Sequence, residues 1–74
     1  MEWWYSKKTR VGSIVAETKE LAPSGLGYMV IKGRNGFWVE AHRVGGAKAR
    51  LPYQRFDTVE DAVAWVEARE GRSE

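Results

Sequence analysis

A chain of 74 residues without cysteine is one small domain, with neither a disulfide nor a thiolate metal site. Its length excludes a two-domain enzyme with a deep cleft, and a hydrophobic share of 43% with 12% aromatics is too rich for a disordered chain. The net charge of +2 conceals a split: residues 1–56 hold ten Lys or Arg against four Asp or Glu, and residues 57–74 hold two against six. A basic body followed by an acidic end narrows the choice of partner.

At the N-terminus, Trp3, Trp4 and Tyr5 precede Lys7, Lys8 and Arg10. A secretory leader has the opposite order, basic residues before an apolar run. The longest uncharged stretch, Leu21 to Ile31, is broken by Pro23, Gly25 and Gly27. It falls far short of the roughly 20 apolar residues that span a bilayer. The expectation is a soluble cytoplasmic protein that does not engage a membrane. Arg10 to Thr18 contains Val11, Ile14, Val15 and Ala16 and reads as a strand, and Leu21 to Gly25 reads as a turn-rich connection. Residues 1–26 thus add an N-terminal strand and turn. Of Trp3 and Trp4, one is expected on the sheet and the other exposed to a partner.

Tyr28 to Lys32 and Phe37 to Val44 are rich in β-branched and aromatic residues and flank Gly33-Arg34-Asn35-Gly36. Asn-Gly is a strong hairpin signal, because both central residues of a type I′ turn need positive φ. A two-residue or a four-residue loop gives the same facial sets. One set is Tyr28, Val30, Lys32, Arg34, Phe37, Val39, Ala41 and Arg43; the other is Met29, Ile31, Trp38, Glu40, His42 and Val44. The helix is expected on the second set, leaving the first outward. A turn at Gly45 to Lys48 leads to a third strand over Arg50–Phe56, an edge or bulged strand because Pro52 lacks an N–H.

Asp57-Thr58-Val59-Glu60-Asp61 is a helix start, since Asp57 or Thr58 can cap and an acid follows three residues later. At about 100° per residue Val59, Ala62, Val63 and Val66 form one stripe, with Trp65 at its edge and Arg69 able to stack on that ring. Gly71 is the stop, which predicts a helix over about 58–70 and a frayed tail at 72–74. Trp38 and Trp65 are expected to join sheet and helix in the core. The fold class is therefore α+β: an antiparallel sheet of three to four strands packed against one C-terminal α-helix, a single domain over residues 1–71.

Two stretches, Gly36-Phe37-Trp38-Val39-Glu40-Ala41-His42-Arg43 and Phe56-Asp57-Thr58-Val59-Glu60-Asp61-Ala62-Val63-Ala64-Trp65, carry a resemblance. In the order strand, strand, strand, helix, the segment from Tyr28 to Glu70 resembles the three-stranded-sheet DNA-binding domains of plant ethylene-response factors. It is also similar to the amino-terminal domains of phage and transposon tyrosine integrases. The resemblance implies that one sheet face carries the helix and the other enters the DNA major groove. It implies DNA contacts by Arg43 and Arg50, with Lys32 and Arg34 in the basic first-strand region. The sequence departs from the plant pattern at Pro52, where a contacting tryptophan stands, and at Ala41, where a contacting glutamate stands. Glu40 and His42 fall where the family is apolar.

Between positions 32 and 55 the residues Lys32, Arg34, Arg43, Lys48, Arg50 and Arg55 face only Glu40 as an acid. Arginine holds guanine bidentately and lysine neutralises phosphate, so these six are the candidate DNA-binding residues. The first functional reading is a non-enzymatic DNA-binding module of phage or mobile-element type. The alternative is a small adaptor, or an inhibitor of a host protein, using Trp3, Trp4, Tyr5, Val30, Phe37 and Val39, because a sheet face with Val30, Val39 and Ala41 at its centre is more often covered than bare. His42 and Glu40 share a face but have no third group for a triad and too few ligands for a metal. Ser24-Gly25-Leu26-Gly27 lacks the Lys-Ser or Lys-Thr and the helix of a phosphate loop. No catalytic residue, cofactor, metal or small-molecule substrate is expected. The oligomeric state is a monomer or an edge-paired dimer.

Overall fold

The computed structural model describes residues 1–71; the expected frayed tail at 72–74 lies outside them. It is an α+β structure in which β1 (Trp3–Tyr5), β2 (Ile14–Thr18), β3 (Leu26–Lys32), β4 (Phe37–Arg43) and β5 (Lys48–Ala49) precede α1 (Val59–Gly71). The five strands form one antiparallel sheet in sequence order, a meander in which each strand pairs with the next. That is one strand beyond the upper expected number of four: the Trp3–Tyr5 aromatics pair along β2, and β5 stops after two residues.

The hairpin register pairs Lys32 with Phe37, Val30 with Val39 and Tyr28 with Ala41. These are the facial sets the alternation predicts. The turn differs from the expected type I′. Gly33 donates its N–H to the Gly36 carbonyl at 2.7 Å, and positive φ falls on Gly36 (144°), not on Asn35. A Cβ at Gly36 would sit 2.4 Å from the Phe56 carbonyl oxygen, so glycine is required there by close approach as well as by backbone angle.

The helix takes the face opposite to the expected one. It covers Tyr28, Val30 and Ala41, which are fully buried with Ala16, Ala62 and Val66, while Phe37, Val39, Leu51, Val63 and Trp65 pack around them. Position along the strands explains the choice. Lys32, Arg34 and Arg43 lie at strand ends and turns, so a helix can cover the centre of their set without burying a charge. On the other set, cross-strand pairing aligns Trp4, Glu17, Met29 and Glu40 across the middle of the sheet. A helix there would desolvate two carboxylates, which is far more costly. Val30, Phe37 and Val39 therefore serve the core and are not available as a partner-binding face. Trp38 lies on the open face and does not bridge sheet to helix. Trp65 does, with its ring 5.7 Å from that of Phe56 and the Arg69 guanidinium 5.6 Å from its ring centre, the stacking that the helix pattern predicts.

Residues 1–26 widen the sheet rather than lie across it, and on the face away from the helix Ile31 is buried while Trp4 and Glu17 stay exposed. In β2 a bulge between Ile14 and Ala16 sets both Val15 and Ala16 opposite Val30, and both reach the core. Trp3 is buried and donates its indole N–H to Glu67 of α1 at 3.3 Å, whereas Trp4 is 59% exposed. The two tryptophans divide as expected.

The helix start is capped by Thr58, whose hydroxyl accepts the Asp61 N–H at 3.0 Å, and Glu60 and Asp61 occupy its first turn. Its last turn is fixed by a network that no local pattern announces. The buried Glu70 carboxylate accepts hydrogen bonds from the Ser24 hydroxyl at 2.6 Å, the Ser24 N–H at 3.2 Å and the Tyr28 hydroxyl. Burial alone would raise the Glu70 pKa, but these donors, with Arg69 nearby, bring it below the ordinary carboxylate range. Burial first, and then the Glu70 carboxylate, push the Tyr28 phenol upward.

Candidate nucleic-acid interface

The third strand expected at Arg50–Phe56 does not form as such. Ala49 still pairs with Ala41, and Phe56 returns to pair with Phe37, but residues 50–55 between them leave the sheet. Pro52 stands within this arc and has no N–H to give to a ladder. The departure opens two adjoining depressions along the β4 edge. The larger, about 470 Å³, is lined by Trp38, Glu40, Lys48, Arg50 and Tyr53 among others. The smaller, about 250 Å³, is lined by the Gly33–Gly36 turn with Trp38, Tyr53 and Arg55. Trp38 and Tyr53 line both.

Four of the six candidate cations therefore follow one track: Arg34 and Arg55 at the turn, then Arg50 and Lys48. Arg43 and Lys32 stand apart from it. Arg43 ends β4 and lines neither depression, and Lys32 is half-buried with its ammonium 5.0 Å from the Phe37 ring. The outward sheet face expected to gather all six does not exist as a surface, because the helix occupies its centre. The turn end receives further positive charge from the β1–β2 connection. Gly12 donates to the Lys32 carbonyl at 2.8 Å and Lys32 donates to Ser13 at 2.9 Å, which holds the exposed Arg10 turn beside the end of β3.

Most of these cations have no carboxylate partner. Among the described residues the salt bridge is Lys48 to Glu40, at 3.4 Å, with the lysine side chain 64% exposed. Glu40 also accepts the Trp38 indole N–H at 2.9 Å. That hydrogen bond, opposed by burial and aided by Lys48, holds the Glu40 carboxyl below its ordinary range. Glu40 and His42 share a face, but among the described residues the hydrogen-bond and salt-bridge partners of the Glu40 carboxylate are Trp38 and Lys48. His42 keeps a buried Nε2 with no hydrogen-bond partner among the described residues.

Trp38 and Tyr53 are the members of this track that sequence reasoning missed. Alternation puts Trp38 on the set expected to carry the helix, and Tyr53, within the expected third strand, is 82% exposed. Pro52 was the available signal, since a broken strand no longer enforces alternation on its next residue. Trp4, Tyr5 and Ile14 form a separate exposed group at the β1–β2 edge, beside Lys8. Among the described residues no cluster of acids and histidine is arranged to hold a metal ion, and no helix is long and apolar enough to cross a membrane. No family model, curated protein or solved structure matches this chain.

Proposed function

We propose that the protein is a DNA-binding module whose contact surface is the β4-edge track and the adjoining turn end of the sheet. The observation that carries this reading is the file of Arg34, Arg55, Arg50 and Lys48 along two joined depressions, with three of the four meeting no carboxylate among the described residues. Such a file matches a chain of phosphates, and each cation that displaces a counterion adds to the salt dependence of binding. The resemblance of Gly36–Arg43 and Phe56–Trp65 to sheet-type DNA-binding domains supports the same function. It does so with a different contact geometry, because Glu17 and Glu40 on the open face would repel a phosphate backbone laid flat across the sheet.

Fluorescence anisotropy with labelled DNA at low salt tests the reading. Four phosphate contacts give a log–log salt slope of roughly −3 to −4, and removing Arg34 and Arg55 together should reduce it by roughly 1 for each arginine. Lys19→Ala is the control: Lys19 lies over the Trp4 ring at 4.5 Å, away from the track, and its loss should leave the slope unchanged. Absence of binding at about 50 µM protein, within the usual non-specific range, would sink the proposal.

A second reading, a module that docks on a host protein, draws on Trp4, Tyr5 and Ile14, which are 59%, 65% and 39% exposed at one edge. Exposed aromatics of this kind often anchor protein interfaces. Trp4→Ala separates the two. DNA binding that survives the substitution belongs to the track; DNA binding that disappears moves the contact surface to the β1–β2 edge.

A further inference from the structure

We infer that the smaller depression is a stacking site for one unpaired base, so that the preferred ligand is single-stranded rather than duplex DNA. This rests on the proposed DNA-binding reading and gives it a substrate class. Trp38 is held as a fixed platform from two sides. A Cβ on Gly33 would lie 3.0 and 3.2 Å from Cζ3 and Cε3 of the indole, so the ring sits directly on the glycine backbone. Its N–H is tied to Glu40 at 2.9 Å. Tyr53 lines the same depression, is 82% exposed, and has no hydrogen bond or ring contact among the described residues that would account for its position.

The walls supply what a nucleotide needs. Two aromatic side chains offer π faces, and Arg34 and Arg55 flank them with cationic groups. A volume of about 250 Å³ is below the ~300–1,000 Å³ of ordinary small-molecule pockets, which suits one planar ring joined to a longer chain outside it. The larger depression continues past Trp38 and Tyr53 to Arg50 and Lys48, so the backbone on one side of the stacked base has a cationic path. Bases in a duplex already stack on each other and do not present their faces; unpaired bases do.

The test compares a labelled oligothymidylate of about 12 nucleotides with a duplex of equal length, by anisotropy at one low salt concentration. Single-strand binding tighter than duplex binding is expected. Tyr53→Ala should weaken the single-strand complex by roughly 5- to 150-fold, the usual range for one base–aromatic stack, with Tyr53→Phe restoring it and duplex binding losing less than single-strand binding. The exposed position of Tyr53 keeps this substitution clear of the core, and an unchanged thermal transition confirms that. Trp38→Leu should weaken the same complex while filling the space on Gly33. If both ligands bind alike, or if Tyr53→Ala leaves the single-strand affinity unchanged, the stacking inference fails and the basic track stands. If neither ligand binds, both fail together.

Discussion

At the C-terminal end of α1, charge is consumed by the fold: Glu70 takes donors from Ser24 and Tyr28, and Glu67 takes the Trp3 indole. Along the β4 edge, Arg34, Arg50 and Arg55 meet no carboxylate at all among the described residues. The two regions belong to one small domain, and both carry charged side chains. What differs is whether the charged group has a partner inside the molecule. A buried carboxylate must be paired, so its position is dictated by stability. An exposed guanidinium adds little to stability whether paired or not, so its unpaired placement leaves room for a ligand. Net charge alone hides this distinction.

The sharpest way to break the comparison is to put a charge on each face. Val30→Asp places a carboxylate under the helix, where Val30 is fully buried, and should cost at least ~3–5 kcal/mol, as much as a domain of this size commonly has. Met29→Asp, one residue away on the open face, should keep a cooperative thermal transition by circular dichroism. Similar losses in both variants would mean that the open face is also core.

The next effect concerns the region where charge is consumed. Glu70→Ala leaves the Tyr28 hydroxyl and the Ser24 donors without their acceptor, and should destabilise by roughly 1–3 kcal/mol in urea unfolding. Its pH dependence has a definite sign. The folded carboxyl has the lower pKa, so below the ordinary carboxylate value the unfolded chain binds the extra proton. The contribution is full above the unfolded-state pKa and is lost as pH falls through the folded one. The stability difference between the parent and Glu70→Gln should therefore narrow on acidification, and a constant difference would reject the assignment.

The smallest effect is at the helix start. Thr58→Ala removes the acceptor for the Asp61 N–H and should cost about 1 kcal/mol with DNA affinity unchanged, because the cap lies outside the track. A change in affinity would extend the contact surface to the helix N-terminus.

The helix was the most legible element in the sequence, since cap, stripe and stop are all local: the expected span of 58–70 differs from Val59–Gly71 by one residue at each end. Strand parity was legible too, because Val30 opposite Val39 holds for either loop length. Which facial set the helix covers was not. Alternation separates two sets without saying which is buried, and here both mix apolar with charged residues. The decision depends on where the charges lie along the strands, at the ends for Lys32 and Arg43 and in the middle for Glu40. The track was half legible. Its cations stood out as a group, but their division into Arg34, Lys48, Arg50 and Arg55 on one path and Lys32 and Arg43 off it follows from the departure of residues 50–55. The Ser24–Tyr28–Glu70 network joins positions 42 and 46 residues apart and has no sequence signature.

The outer strands of the meander are only three and two residues long, Trp3–Tyr5 on one side and Lys48–Ala49 on the other. An incoming chain finds only a short ladder on either of these two strands, and Pro52 follows closely on the shorter one. Pairing with another copy through either of them is therefore limited to two or three residues.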